Sequence, residues 1–264
     1  MLMVVKNLKL IFSYFKLNIQ KELQYKTSFI LKVFMMVLND AFFLLQWVII
    51  FSIVDNIAGY EFNDVLLLWG LSAGSYGLAH ALFGNAFNLN DMIYEGKLDI
   101  YLTQPKNILI NVCASSGSIS ALGDLLYCFI VLFIIGAPWW WFLVVIPVIV
   151  IGSIIYVCCI ITLQSLSFYI KRGGAIADMV SSAVTLFGTY PGPIFKGIAK
   201  VVLYTIIPVG FMIFTPVENL FMSFNIYWIL AMVGIAAFWA LLAIVSFNKG
   251  LKRYNSGNLM GGRL

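Results

Sequence analysis

Apolar residues fall in long runs along most of this chain. Five runs reach the length of about 20 residues that a helix needs to cross a hydrocarbon core about 30 Å thick, and they cover residues 29–54, 65–87, 108–136, 139–170 and 226–247. Two shorter runs, 175–190 and 198–215, lie between the last two. Stretches such as 47–54 do not alternate apolar and polar positions, as strands of a membrane barrel do. The pattern therefore predicts membrane-spanning helices.

Positive charge indicates on which side of the membrane each connection lies. Five lysines precede the first run, Lys171 and Arg172 follow the fourth, and four basic residues occur in residues 249–264. The connection 55–64, in contrast, carries three acidic residues and no basic one. We therefore expect a multi-pass protein of the cell membrane, with both termini and the connections after the second and fourth spans in the cytoplasm.

The same sidedness constrains the region of the two shorter runs. Because the chain is expected inside at Arg172 and inside again after the last span, residues 175–215 must supply an odd number of crossings. One short run then crosses, and the other enters and returns as a re-entrant element. Four prolines, Pro191, Pro193, Pro208 and Pro216, interrupt the helices where such an element needs breaks. The predicted fold is all-α, with six transmembrane helices and a re-entrant element before the last span.

The N-terminal segment is predicted to be an amphipathic helix at the cytoplasmic interface. Apolar residues recur there at helical spacing while lysines occupy another face, which is typical of a helix lying along a membrane surface. The apolar set is Leu8, Phe12, Phe15, Ile19 and Leu23. The helix either anchors the chain to anionic lipid or contacts a cytoplasmic partner. The resulting division is an interface helix over 1–28, a transmembrane domain over 29–248 and a cytoplasmic tail over 249–264.

Composition excludes a soluble domain. Of 264 residues, 62% are apolar and only 10% are charged, whereas a soluble domain carries about 25% charged residues. The one histidine, His80, and four cysteines without CxxC spacing disfavour a metal centre or an intramembrane enzyme. No GxxxxGK[ST] phosphate loop occurs, because Gly96-Lys97 continues into Leu98. We therefore expect no enzyme activity and no cofactor in this chain.

Three ionisable residues interrupt the predicted spans: Lys32, Asp40 and Asp124. Such groups are costly in hydrocarbon, so they usually face protein or water. Asp40 and Asp124 either line a polar translocation pathway or cap the backbone of a neighbouring helix. Lys32 is close enough to the first turn to reach the cytoplasmic boundary.

The connection after the second span is longer and more apolar than a hairpin loop requires. Residues 89–107 read LNDMIYEGKLDIYLTQPKN, with acidic residues interspersed among Met, Ile and Leu. Gly96 interrupts the segment and Pro105 ends it, which predicts a short amphipathic helix on the cytoplasmic face. Its apolar side packs either on a partner protein or on the helices of this chain.

At this connection the sequence resembles the permease subunit of an ABC-2 type ATP-binding-cassette transporter. The family pattern of Ile, Gly, Leu-Asp, Leu and Pro is matched by Ile93, Gly96, Leu98, Asp99, Leu102 and Pro105. The resemblance continues with TYPGPIF at 189–195, IIP at 206–208 and GLKRYNSGN at 250–258. Lys97 stands where the family often has an acidic residue, and Gln104 where it commonly has a basic one.

The resemblance implies that this chain forms half of the translocation pathway of an exporter, and that a partner protein supplies the energy for transport. In such transporters two permease subunits, identical or homologous, pair in the lipid bilayer above two ATPase subunits that bind ATP and Mg. The resemblance also implies that the connection 88–106 contacts the ATPase. The residues expected in that contact are Tyr94, Glu95, Gly96, Leu98, Asp99 and Leu102. Asp40 and Asp124 are expected in the pathway, and Tyr190, Pro191 and Pro193 in an outer gate at the re-entrant element. No nucleic-acid partner is expected.

Two other classes compete with this interpretation. A secondary transporter, or a substrate-binding membrane subunit of another transporter class, should show paired broken helices in related halves, whereas the sequence has one broken region. An intramembrane enzyme should have clustered histidine with Glu or Ser. The cargo is left open among drugs, peptides, lipids and polysaccharides.

Overall fold

The structure, a computed structural model, describes residues 2–170, 173–223, 225 and 227–254. These residues form helices and no strands, apart from a single bridge between Ile57 and Tyr60. Lys171, Arg172 and most of the predicted tail, residues 255–264, lie outside the described residues. The predicted all-α membrane architecture is confirmed.

Eleven α-helices account for most of the described chain. They are α1 (Leu2–Leu23), α2 (Lys26–Phe51), α3 (Phe62–Phe87), α4 (Leu89–Tyr94), α5 (Asp99–Leu102), α6 (Ile108–Ala114), α7 (Leu122–Ile134), α8 (Trp139–Gln164), α9 (Gly173–Phe187), α10 (Ile198–Thr205) and α11 (Tyr227–Leu251). Within the described residues, four helices are long and apolar enough to cross a membrane, and two bent helix pairs raise that number to six. The four are α2, α3 (continuing into α4), α8 and α11.

The bundle has two ends, which we call lower and upper. The lower end carries residues 88–107, between α3 and α6, together with the end of α11. The upper end carries residues 52–61, between α2 and α3. Helix α3 runs between the ends at the centre of the bundle, and its residues 65–71 are all buried. Helices α2 and α11 leave about half of their apolar side chains exposed, as helices facing lipid or another subunit do.

The third crossing is broken, although the sequence predicts one continuous run over 108–136. Helix α6 meets the helical residues Ile119–Ile134 at 77°, across a Ser-Ser-Gly-Ser linker at 115–118. The linker lies directly on α3, where Gly117 leaves no room for a Cβ beside the Ala81 carbonyl. The Ser118 amide donates to the His80 carbonyl at 2.9 Å. A kink in α3 at Phe83 accompanies this contact.

The region of the two shorter runs contains the shorter apolar helix α9 and one hairpin. Helix α9 rises from the lower end, where Gly173 packs on Leu166 and Ser167, to the upper end. Helix α10 and the following wide helical turns of Gly210–Met222 are bent by 79° to each other.

Contacts place both ends of that hairpin at the upper end of the bundle. Gly192, which leads into its first arm, packs against Glu218 of its second arm. The Tyr60 hydroxyl donates to Glu218 Oε1 at 3.0 Å, and the rings of Phe221 and Trp141 are 4.9 Å apart. The intervening turn reaches down to Cys159, whose Sγ lies 3.8 Å from the Ile206 carbonyl oxygen. The hairpin therefore enters and leaves on one side, as the predicted re-entrant element does.

Candidate functional site

The connection at residues 88–107, which we call the lower connection, consists of two short helices with a left-handed turn between them. Helix α4 continues the direction of α3, and α5 follows the turn. Gly96 has φ +71°, a conformation that side-chain-bearing residues rarely adopt. The Lys97 amide closes the turn by donating to the Met92 carbonyl at 3.0 Å. Gly96 is therefore required by the backbone conformation itself.

Apolar side chains of the lower connection point in two directions. Leu89, Met92, Ile93 and Leu98 are buried in the core of the bundle. Ile100 is 65% exposed and Leu102 is 40% exposed. The segment thus packs on its own helices with one side, which is one of the alternatives raised by the sequence, and presents two apolar side chains outward with the other.

Hydrogen bonds attach the start of the lower connection to the end of α8. Gln164 accepts from the Asn90 amide at 3.1 Å and donates to the Phe87 carbonyl at 2.9 Å. Ser167 donates to Asn90 Oδ1 at 2.7 Å. The Tyr94 hydroxyl donates to the Ile170 carbonyl at 2.9 Å. Because Gln164 is completely buried, its two bonds hold α3 and α8 at a defined separation.

A second set of bonds attaches the end of the lower connection to α1 and α6. The buried Asn111 on α6 accepts from the Tyr14 hydroxyl at 2.7 Å and donates to Gln104 Oε1 at 2.9 Å. The Lys106 ammonium lies 5.6 Å from the centre of the Tyr14 ring, within cation–π range. The N-terminal amphipathic helix is thus joined to the bundle through the same asparagine that holds Gln104.

The end of the last span also reaches this segment. The Tyr254 hydroxyl lies over Gly96 and beside the Asp99 carboxylate. Burial and that neighbouring carboxylate raise the pKa of Tyr254 to about 12. A displacement of the lower connection therefore acts on the ends of α3, α6, α8 and α11 together.

The predicted ATPase-contact residues differ in their accessibility. Glu95, which pairs with Lys97, and Leu102 are exposed. Tyr94, Gly96 and Asp99 are half-buried, and Leu98 is completely buried. Leu98 can therefore position the segment but offers no surface to another protein.

A second feature is a central cavity of about 510 Å³ inside the bundle. Its walls come mainly from α2, α3 and α9, with further residues from α7, α8 and the re-entrant hairpin. Asp40 and Asp124, predicted in the pathway, and Tyr190, predicted in the outer gate, all line this cavity. Pro191 and Pro193 follow Tyr190 in the turn that leads to α10.

Close packing at two glycines brings together the helices that carry Asp40 and Asp124. Gly123 packs against the Val33 carbonyl of α2, and Gly77 of α3 packs against the Ala121 carbonyl and Asp124 Cβ. Such small residues let helices approach closely in membranes. Asp40 is 6% exposed and Asp124 is 5% exposed, and they are near enough to interact electrostatically.

Sequence reasoning missed most of the other cavity residues. Four aromatic residues on three different helices, Trp47, Trp69, Tyr76 and Tyr156, meet there, and no spacing in the sequence connects them. The hydroxyl-bearing residues of α9 did leave a signal, since they recur at intervals of three or four. They are Ser181, Ser182, Thr185 and Thr189. The buried bonds of Asn90, Asn111 and Gln164 had no signal beyond a polar residue near a helix end.

Comparison with known proteins adds one finding. A family model described as ABC-2 family transporter protein matches residues 10–257, nearly the whole chain. No curated protein and no solved structure matches the chain significantly. The family match covers both the lower connection and the central cavity.

Proposed function

Because the chain belongs to the ABC-2 family of transporter proteins, and is thus a transmembrane component of an ABC transporter, we propose that it drives export by coupling to separate ATPase subunits. The proposed contact is the lower connection. ATP and Mg are bound by those subunits, since this sequence contains no phosphate loop. The lower end faces the cytoplasm of the cell in this proposal, in keeping with the lysines of residues 1–28.

The observation that carries the proposal is the exposed apolar pair Ile100 and Leu102. They belong to a segment whose other apolar residues are buried and whose polar residues are tied to α1, α6 and α8. In the proposed complex these two side chains supply the apolar centre of the contact, and the polar residues around them form its rim. Nucleotide binding shifts a permease only through contacts that differ between its two states, and this surface transmits such contacts to four helices.

A second permease subunit is proposed to cover the side of the central cavity that this chain leaves open. Asn39 and Gln46 on α2 are exposed at membrane depth, where amide groups facing lipid are unfavourable. A second permease subunit, identical or homologous, provides polar surroundings for them and completes the pathway past Asp40 and Asp124. Tyr190, Pro191 and Pro193 form its outer gate in this arrangement.

Copurification with the ATPase tests the proposal. The chain is tagged in its native host and isolated from membranes in mild detergent, and an ATPase of the ATP-binding-cassette class is expected with it. The double substitution Ile100→Asp and Leu102→Asp places charge in the docking surface and is expected to lower ATPase recovery at least about tenfold, that is by about 1.4 kcal/mol or more.

The matched control is Ile53→Asp, the same chemical change at the upper end, where Ile53 is 79% exposed. This variant is expected to retain the ATPase. Absence of an ATPase from the wild-type preparation, together with transport by the chain alone, contradicts the proposed function. Equal ATPase recovery by the double variant and the wild type removes the lower connection as the contact.

A further inference from the structure

We infer that the central cavity binds organic cations, of the size of a quaternary phosphonium or ammonium compound with aromatic groups. The inference deepens the proposed function and rests on it in one respect, namely that the bound cation is the cargo of the exporter. The residues that line the cavity are the evidence for the binding site itself.

The charge of the wall selects for cations. Asp40 and Asp124 line the cavity, and no lysine or arginine does so among the described residues. Both carboxylates are more than nine-tenths buried, and bringing charge into a membrane interior is unfavourable unless a counter-charge is supplied. A cationic ligand supplies that counter-charge, whereas an anion adds to the repulsion.

One carboxylate oxygen lacks a partner. Asp40 Oδ2 is buried and accepts no hydrogen bond from any described residue. A buried polar atom without a partner costs free energy that a ligand can recover. The unpaired oxygen is therefore a second, independent indication that this wall is completed by a bound group.

Aromatic rings surround the carboxylates. Trp47, Trp69, Tyr76 and Tyr156 contribute to the wall, and Tyr190 stacks edge-on against Trp47 with 5.6 Å between ring centres. Aromatic faces attract cations, by about 2 kcal/mol or more where water is excluded. They also accommodate apolar substituents, so the cavity suits a cation with hydrophobic groups.

A metal ion fits these residues less well than an organic cation. The described residues contain no group of three or more His, Cys, Asp or Glu side chains placed to hold a metal. A volume of about 510 Å³ lies in the range of about 300–1,000 Å³ for pockets that hold small organic molecules.

Binding of tritiated tetraphenylphosphonium tests the inference. The full-length chain, with the subunits that copurify, is held in detergent micelles without nucleotide, and bound radioactivity is measured by scintillation proximity. Saturable binding is expected. Triphenylphosphine oxide, a neutral molecule with three of the same phenyl groups, is expected to compete at least about tenfold less well than unlabelled cation.

Isosteric variants locate the binding. Asp40→Asn and Asp124→Asn are each expected to weaken binding about tenfold, equivalent to about 1.4 kcal/mol. Asp178→Asn is the matched control, because Asp178 is an exposed carboxylate on α9 that does not line the cavity. This control is expected to bind within about twofold of the wild type.

Failure of the site and failure of the proposed function give different results. Equal binding of the neutral compound and the cation by the wild type overturns the inference without recourse to any variant. Wild-type affinity in both Asp40→Asn and Asp124→Asn overturns it as well. Charge-selective binding that both substitutions weaken supports the site even if no ATPase copurifies, in which case only the proposed function is lost.

Discussion

Buried polar side chains hold the lower connection in place and also line the central cavity, but their bonding differs. Asn111 of α6 and Gln164 of α8, which hold the lower connection, each have two partners on different elements. In the cavity, Asp40 keeps an unpaired oxygen beside open volume. A satisfied buried network holds a shape, and an unsatisfied one leaves free energy to be gained from a ligand. The comparison therefore distinguishes a segment whose shape is held by its hydrogen bonds from a cavity that leaves room and an unpaired acceptor for a ligand.

Removal of Leu98 should have the largest effect on the stability of the lower connection. Leu98 is completely buried, whereas Ile100, two residues later, is mostly exposed. Leu98→Ala is expected to lower the free energy of unfolding by about 2–5 kcal/mol, because it leaves a cavity in the core. Ile100→Ala is expected to change it by no more than about 0.5 kcal/mol. Thermal unfolding in detergent measures both, and similar midpoints for the two variants would show that Leu98 does not anchor the segment.

Loss of the Asn111 hydrogen bonds is expected to have the second-largest effect on stability. Asn111→Ala removes the acceptor of Tyr14 and the donor to Gln104, and it is expected to destabilise the protein by about 1–3 kcal/mol. Ser13→Ala is the control on α1, because that hydroxyl bonds only to the exposed Lys9 carbonyl. Limited proteolysis at the junction of α1 and α2 should become faster in Asn111→Ala alone. Unchanged proteolysis and stability argue against a rigid attachment of α1.

A substitution in the central cavity is expected to raise the stability of the protein instead of lowering it. Asp40→Leu removes an unpaired buried carboxylate beside space that can take a larger side chain, so it is expected to raise stability by about 1 kcal/mol. That corresponds to a rise of about 2–4 °C in the unfolding midpoint for a protein of this size. Thermal unfolding without ligand provides the test. A marked fall instead would mean that Asp40 supports the packing of α2, and the contrast between the two regions would then fail.

Part of this architecture could be predicted from residue pattern alone. The long apolar runs predicted the spans, and the parity of the basic flanks required one of the two shorter runs to re-enter without deciding which one. The break between α6 and α7 was missed, because Ser115, Ser116 and Ser118 are tolerated within membrane helices and Gly117 is common there. At that point the chain contacts the backbone of α3 near Ala81, and no local pattern reports a contact between Gly117 and Ala81, which are 36 residues apart.

The residues of the candidate sites likewise include some that could be identified from the sequence and some that could not. Gly96 and its flanking motif could be recognised because a left-handed turn restricts the residue at its own position. Asp40 and Asp124 could be singled out because charge is rare in a span. Their meeting with Trp47, Tyr76 and Tyr156 could not be foreseen, since those residues come from separate helices.

The sequence by itself determined that this is an all-helical membrane protein, where its long apolar runs lie, and which connection carries the ABC-2 pattern. Those properties depend on hydrophobicity, charge and turn chemistry, which each residue carries wherever it lies. Tertiary structure alone decided that Leu98 is buried while Ile100 is exposed, and that two distant carboxylates share one cavity with six aromatic side chains. These outcomes depend on the rotation and closeness of packed helices, and those are set by contacts between residues far apart in the chain.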